Sequence, residues 1–377
     1  MADTNMATPI LFTIPNFITA GSGRAMLNVV ERLDRNLYSP AICVSRLGGD
    51  LCREVERQGI KLLEAPFTVP ALPYSSLPLR AWRCAKFFRP YRFTAWHSFH
   101  YSDDYTEPLI ARLAGAQAWF YTKKNMGWNR RWYLRTLFAT RVAAQNTTII
   151  SRFFQGNLLR GKANLIPPGV NVDEFRPSEA ARLRVRERFN IPAGAVLAGS
   201  VGHLVPVKGH GTLIRAAASL PGVYVLIAGK PLDQEYTASL EQLRRELKVE
   251  DRVHLTGNIA DVPAFLAEID IFVLPTWAKW RMEGCPVALL EAMACGKPCI
   301  ATAIPGAQDV IEPMTSGLLV PPEDPVALAA ALRKLSEAEA LRRSIGIAAR
   351  GRIVDAYTVD REVAQYDHLY RVAFGLA

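Results

Sequence analysis

In the stretch RMEGCPVALLEAMACGKPCIAT (281–302), two glutamates, Glu283 and Glu291, stand with seven residues between them. Most of the gap is apolar, and a Gly-Lys-Pro turn leads into a strand-like CIAT. Pro286 suits the first position of a helix, where a missing N–H costs nothing. That places Glu283 in the loop before the helix and Glu291 in its second turn. Five helical residues rise about 7.5 Å. Free N–H groups near Val287 and Ala288 make an anion site at the helix start. The span from there to Glu291 roughly matches that from a nucleotide's phosphates to its ribose hydroxyls, and a carboxylate accepts well from two vicinal hydroxyls. Standing alone, the pair is better read as an acid favoured by the helix dipole followed by a surface glutamate.

The elements that must position such a site repeat twice. PILFTIPNF (9–17) reads as a buried strand, and AGSGRAMLNVVERL (20–33) as a glycine-rich turn feeding a helix, with Gly21 and Gly23 in the turn. PAICVSR, KLLEA, AWHSF, AWFYT, RVAAQ and ANLIPPG continue the strand series. Pro167, Pro168, Pro177 and Pro192 then punctuate a linker. The pattern restarts at AVLAGSVGHLVPVKGHGTLIRAAASL (195–220), and VYVLIAGK, VHLTG, IFVLP, PCIAT and GLLVP supply five further strands. Short apolar runs alternating with amphipathic stretches predict α/β architecture with parallel sheets. The expectation is two doubly wound, Rossmann-like domains, 1–176 and 177–356, facing one another across a cleft. Ligands in such sheets bind beyond the carboxyl ends of the strands. A last helix within 357–377 carries Val363, Tyr366, Leu369 and Tyr370 at helical spacing and is expected to pack back on the first domain.

Composition narrows the class. The chain has 377 residues, half of them hydrophobic and about a fifth charged, which is globular and not disordered. Its six cysteines are scattered without zinc or redox spacing and read as reduced thiols. The amino terminus lacks a signal peptide's basic region, and no run of about eighteen apolar residues exists, so a cytoplasmic location is expected. Residues 1–176 hold 23 Lys and Arg against 12 Asp and Glu, whereas the remainder is nearly balanced at 22 against 23. Two segments concentrate that surplus among aromatics. LRAWRCAKFFRPYRF (79–93) brings Arg80, Arg83, Lys86, Arg89 and Arg92, and NRRWYLRTLF (129–138) brings Arg130 and Arg131. Basic and aromatic side chains together suit an anionic membrane surface, peripherally and at the cytoplasmic face. No nucleic-acid-binding motif accompanies them.

Several stretches together resemble the GT-B glycosyltransferases of the family 4 type, the glycosyl transferases group 1 family. NLIPPGVNVDEFRP (164–177) looks like that family's linker, and VGHLVPVKG like its first phosphate loop. VHLTGNIADVPAFLAEIDIFVLPTW looks like its base-binding region, and MEGCPVALLEAMACGKPCIATAIPGAQDVI like its acid pair and following turn. The resemblance implies that Glu291 holds the ribose hydroxyls of a nucleotide-sugar donor and that Glu283 contacts the donor sugar near the bond being broken. Backbone N–H groups from Gly284 onward would face the sugar and diphosphate. Lys208 would stabilise the leaving diphosphate, a role that needs no metal or other cofactor. Gly21 and Gly23 match the family's glycine loop after the first strand, which implies that they bind the donor by letting the backbone approach its phosphate. Two positions depart from the pattern. His203 stands where the family carries an arginine, and Lys123, Lys124 or Asn125 stands where a first-domain histidine is usual; His97 and His100 are nearby alternatives on the acceptor side.

The resemblance thus implies a retaining, metal-independent hexosyltransferase moving sugar from a nucleotide diphosphate to a hydroxyl acceptor. A lipid-linked or cell-envelope glycan, as in polysaccharide biosynthesis, is the acceptor class that the basic and aromatic segments suggest. The competing readings are a non-catalytic GT-B partner of an active transferase, motivated by the two departures, and a nucleotide-sugar epimerase or phosphorylase on the same plan. An oxidoreductase is disfavoured, because neither glycine loop spells G-x-G-x-x-G with an acid about twenty residues on.

Overall fold

The computed structural model describes residues 7–17, 20–178, 184–278 and 284–375. The chain divides into two compact units, Met1–Pro168 with Val359–Ala377, and Gly169–Thr358.

In the first unit, strands β1 (Thr8–Ile14), β2 (Tyr38–Val44), β3 (Lys61–Glu64), β4 (Ala95–Ser98), β5 (Ala118–Lys123), β6 (Arg141–Ala144) and β7 (Ala163–Leu165) form one parallel sheet in the order β3-β2-β1-β4-β5-β6-β7. Helices α1 (Ala20–Arg32), α2 (Asp50–Arg57), α3 (Leu77–Phe88), α4 (Thr106–Ala114), α5 (Arg130–Phe138) and α6 (Thr147–Phe153) lie between them in sequence. The strands are nearly continuous apolar runs because parallel sheets are covered on both faces. All six residues of β5, AWFYTK, are buried, its terminal lysine included.

The second unit repeats the plan with β8 (Val196–Val201), β9 (Val223–Ala228), β10 (Val253–Gly257), β11 (Ile271–Leu274), β12 (Cys299–Thr302) and β13 (Leu318–Val320), in the order β10-β9-β8-β11-β12-β13. Its helices are α7 (Arg184–Arg188), α8 (His210–Ala218), α9 (Gln234–Glu246), α10 (Val262–Glu268), α11 (Val287–Ala294), α12 (Pro305–Val310), α13 (Pro325–Glu337) and α14 (Glu339–Ala356). Side chains alternate between the faces of a strand, so each face has its own core. Leu197, Leu226, Phe272, Leu289 and Met293 pack on one side, and Ile214, Val225, Val273, Leu328 and Leu332 on the other. Both units are therefore Rossmann-like, and every strand expected from the apolar runs is present.

The chain changes unit at Pro168–Gly169, within the proline cluster and ahead of the boundary expected after residue 176. Val170 N–H donates to Tyr357 O at 2.9 Å, and Phe175 is buried in the second unit's core, so residues 169–176 belong there. After α14 the last helix, α15 (Val359–Phe374), returns to the first unit. Tyr366 and Tyr370 are fully buried. Tyr370 OH lies 2.6 Å from His97 Nδ1, Thr122 Oγ1 lies 3.0 Å from His97 Nε2, and Tyr366 OH lies 3.0 Å from Thr122 Oγ1. Burial holds the His97 pKa well below its ordinary value, so the ring is neutral. His97, an acceptor-side candidate by sequence, has both ring nitrogens engaged in the core and serves to seat α15.

A second polar cluster lies inside the first unit. Glu107 and Arg135, both 0% exposed, pair at 3.0 Å. The same carboxylate accepts from Thr13 Oγ1 at 2.5 Å, Ser98 Oγ at 2.7 Å and Trp96 Nε1 at 3.2 Å. Arg135 also donates to Ser98 Oγ at 2.7 Å and to the Asp104 carbonyl, with its guanidinium 4.7 Å from the Trp119 ring. Each charge is tolerated only because the other is there. Arg135→Met should lower the unfolding free energy of the first unit by about 3–5 kcal/mol. Urea denaturation followed by tryptophan fluorescence reads this, and a loss below about 1 kcal/mol would show that the carboxylate finds compensation elsewhere.

Candidate functional site

In the second sheet the strand order reverses at β8, which pairs with both β9 and β11, so the loops leaving β8 and β11 flank the switch point. The loop after β8 runs through Gly202 and His203 into a single 3-10 turn, Pro206–Lys208, and then Gly209. Gly209 has φ +67°, and a Cβ there would come within 1.9 Å of the Pro275 carbonyl oxygen, so only glycine fits. Trp277 N–H donates to Val207 O at 2.8 Å and joins the two loops directly. Lys208 is half-buried, and its stem passes over Gly202. His203 is half-buried beside it, and its carbonyl lies 3.4 Å from Nε2 of His210, the first residue of α8. Burial is the main cause that lowers the His210 pKa, to about 4, so this ring is neutral and supports the loop from beneath.

The opposite wall is the start of α11. Pro286 occupies the N-cap with φ −80° and ψ 104°, one place ahead of the first helical position that its type suggested. Its carbonyl accepts from Leu289 N–H at 3.0 Å, while Val287 and Ala288 contribute the first N–H groups of the helix, which have no intrahelical acceptor. The approach to the helix is tight: a Cβ on Gly306, in α12, would fall 2.1 Å from the Gly284 carbonyl oxygen. Glu291 follows one turn after Val287, a rise of about 6 Å. It is half-buried, and burial, with a smaller contribution from Glu174, raises its carboxyl pKa to about 8. Glu283 lies outside the described residues.

The second unit thus brings His203, Lys208, Gly284, Val287, Ala288 and Glu291 to the loops and helix start beyond the carboxyl edge of its sheet. Two further polar groups there carried no sequence signal beyond closing the run IFVLPTW. Thr276 Oγ1 and Trp277 Nε1 are buried without a hydrogen-bond partner, while Thr302 Oγ1 donates to Thr276 O at 2.6 Å. Among the described residues, no group of three or more His, Cys, Asp or Glu could hold a metal ion.

The carboxyl edge of the first sheet separates its candidates. Gly21, Ser22 and Gly23 form the first turn of α1. Gly21 faces open space, whereas Gly23 packs so closely on the Phe17 ring that a Cβ would be 2.7 Å away, giving that glycine a packing reason of its own. Lys124 Nζ donates to Ser22 Oγ at 2.9 Å and is buried. Lys123 points elsewhere, donating to Asn125 Oδ1 at 2.6 Å and Gly127 O at 2.7 Å over the Trp132 ring at 3.6 Å. Burial lowers both lysines, Lys123 to about 6 and Lys124 to about 7. His100 is half-buried, and burial lowers its pKa as well. Of the residues standing where a histidine was expected, Lys124 is the one beside the glycine turn.

The basic, aromatic segments are only partly on the surface. In α3, Ala81, Ala85 and Phe88 face inward, while Leu79, Trp82, Arg83, Lys86 and Phe87 share the exposed face at helical spacing. Lys86 Nζ lies 3.7 Å over the Trp82 ring. Arg80 donates to the Pro70 and Pro73 carbonyls and fastens the preceding loop. Arg89 and Arg92 are exposed beyond the helix. The second segment differs: Arg130 and Arg131 are exposed, but Trp132 and Arg135 are interior. Among the described residues, no helix is long and apolar enough to cross a membrane.

Residues 182–352 match the family model described as Glycosyl transferases group 1. A GDP-mannose-dependent alpha-(1-6)-phosphatidylinositol monomannoside mannosyltransferase of Mycobacterium tuberculosis is 34% identical over 165 residues, 41% of this chain and 42% of that protein. The amylovoran biosynthesis glycosyltransferase AmsK of Erwinia amylovora is 34% identical over 229 residues, 56% of this chain and 53% of that one. The chain therefore spans about half the length of the curated relatives it matches. A glycosyltransferase from Rickettsia africae has a similar fold, with TM-score 0.84 at 20% identity over 98% of this chain and 100% of that one. Anabaena Alr3699/HepE, solved in complex with UDP and glucose, reaches 0.82 at 19% identity over 97% and 100%. Each unit of this chain has the Rossmann-like fold of the GT-B glycosyltransferases, and its residues 182–352 belong to the glycosyl transferases group 1 family.

Proposed function

We propose that this chain is a hexosyltransferase that moves a sugar from a nucleotide diphosphate to a hydroxyl acceptor, with retention and without a metal. The observation that carries the reading is the placement of Lys208, the α11 start and Glu291 around one switch point, within a domain of matching family. In this reading Glu291 accepts from the ribose hydroxyls, and the N–H groups at Gly284, Val287 and Ala288 face the diphosphate and sugar. Lys208, with His203 beside it, offsets the charge that grows on the diphosphate as the glycosidic bond breaks. Glu283 contacts the sugar. Lys124 and His100 belong to the acceptor side, and retention rests on the family resemblance. The exposed face of α3 supports a lipid-linked or cell-envelope acceptor met at an anionic membrane surface. A thermal-shift screen against UDP, GDP, ADP and their sugars tests the reading directly, since a ligand that binds only the native state stabilises it; no stabilisation by any of them would overturn it.

Glu291 gives the nucleotide site a pH signature. Hydroxyl donors need the carboxylate, and the free protein holds the proton up to about pH 8. Nucleotide binding should therefore tighten as pH rises, by about tenfold between pH 7 and 9. Glu291→Ala should remove that slope and weaken binding by about 1.5–3 kcal/mol, whereas Glu283→Ala should mainly lower turnover. Calorimetry of both variants across pH checks this, and a pH-independent wild-type Kd would take Glu291 off the ribose.

His203→Arg should tighten nucleotide diphosphate binding by up to about tenfold, because a guanidinium brings a permanent charge and a bidentate fork. Equal affinity in the two proteins would place His203 away from the phosphates.

At the surface, binding is expected to vesicles containing anionic lipid, but not to neutral ones, and to be released by salt. Arg83→Glu and Lys86→Glu should each weaken it roughly fivefold, and Trp82→Ser should weaken it through loss of interfacial contact. Cosedimentation that does not distinguish the two vesicle types would favour a soluble acceptor.

A further inference from the structure

The last helix of the chain reaches the ligand edge of the first sheet as well as its core. In β5 and just beyond it, Phe120, Thr122 and Lys124 alternate onto one face. On α15, Tyr370, Tyr366 and Glu362 are spaced by four and share a face as well. Four helical residues rise about 6 Å and two strand residues about 6.6 Å, so the two series stay in step. Phe120 meets Tyr370 with ring centroids 5.1 Å apart, and Thr122 meets Tyr366 at 3.0 Å. The next step brings Lys124 opposite Glu362, which is 2% exposed and whose charge acts on the lysine.

The surroundings make that step matter. Lys124 Nζ donates to Ser22 Oγ on α1 and lies 4.4 Å from the Phe99 ring and 5.4 Å from the Tyr101 ring. Among the described residues, the titratable groups around it also include His97 on β4 and His100 beyond that strand, both with lowered pKa values. Burial drives the lysine towards the neutral amine, and Glu362 is the charge that opposes it.

We propose that Glu362 is a positioning residue that favours the ammonium form of Lys124 beside Ser22, so that the first unit can present a positive charge to an anionic group of the acceptor at neutral pH. The pairing of Glu362 with Lys124 stands on the packing of α15; its use in the reaction rests on the transferase reading above.

The two halves are tested separately. The pair is tested by NMR on protein carrying 13C at lysine Cε, with the Lys124 signal identified by its loss in Lys124→Met. The wild-type signal should titrate near pH 7, and Glu362→Gln should lower that midpoint by at least about one pH unit. Glu362→Asp, which keeps the charge one methylene further away, should fall between them and serves as the test should the glutamine variant not fold. A midpoint unmoved in the variants overturns the proposal.

The role is tested by kcat/KM for the acceptor at saturating donor. The alkaline limb should follow the NMR midpoint downward in Glu362→Gln and recover partly in Glu362→Asp. A loss by one constant factor at every pH would overturn the role even where the midpoint moves. Absence of any transfer by the wild type would instead defeat the transferase reading, with the NMR result still deciding the pair.

Discussion

The constraint on which the rest of the structure depends is that a parallel sheet is covered on both faces. Its strands must be apolar almost throughout, and its polar chemistry is confined to the strand ends and the loops leaving them. Both units obey it: β5 is buried over all six residues, and the polar candidates stand at its end or beyond. The same holds for β8 and β11, whose loops carry Gly202, His203, Lys208, Thr276 and Trp277. A charge that does penetrate such a layer needs a partner inside it. Glu107 and Arg135 satisfy that need with each other, with the hydroxyls of Thr13 and Ser98, and with the Trp96 indole.

The second organising feature is the return of the chain's last helix to its first unit. α15 is held by buried hydroxyl and imidazole bonds through Tyr366, Tyr370, Thr122 and His97, and by Tyr38 OH donating to Asp367 Oδ1 at 2.7 Å. These are directional contacts in an otherwise apolar layer, so they fix the register of the helix along β5 as well as its attachment. A slide by one turn would put one of these tyrosines in the other's place and leave the second buried hydroxyl unpaired, costing about 1–3 kcal/mol. Register in turn decides which residue of α15 reaches the carboxyl edge of the first sheet.

How much of this was legible follows from the same physics. The strands could be read because covered strands are continuous apolar runs, and α11 because an apolar stretch follows a proline. Arg135 could not be placed: in NRRWYLRTLF it looks like its surface neighbours Arg130 and Arg131, and only the cluster around Glu107 makes it interior. His97, inside the strand-like run AWHSF, and His100, just beyond it, were equally open candidates, and it is the packing of α15 that takes His97 into the core. Among Lys123, Lys124 and Asn125, the face of the strand decides which one meets Ser22, and a slip of one residue would exchange Lys123 with Lys124. Local pattern predicts elements well; it does not specify which tertiary neighbour meets a charge.

At the two candidate edges, burial pushes the ionisable groups towards their neutral forms. Burial keeps Glu291 protonated up to about pH 8 and draws Lys124 down to about 7. Each is thus an incompletely solvated group at the mouth of its sheet. Hydroxyl donors arriving at Glu291 would favour the carboxylate and release a proton, while an anion arriving at Lys124 would favour the ammonium and take one up. A site assembled this way gains most from ligands that add a counter-group to the incompletely solvated one, and least from neutral or like-charged ones. Selectivity at each edge would then come from the burial that makes the empty site electrostatically unfavourable, with hydrogen-bond geometry acting on what burial has already selected.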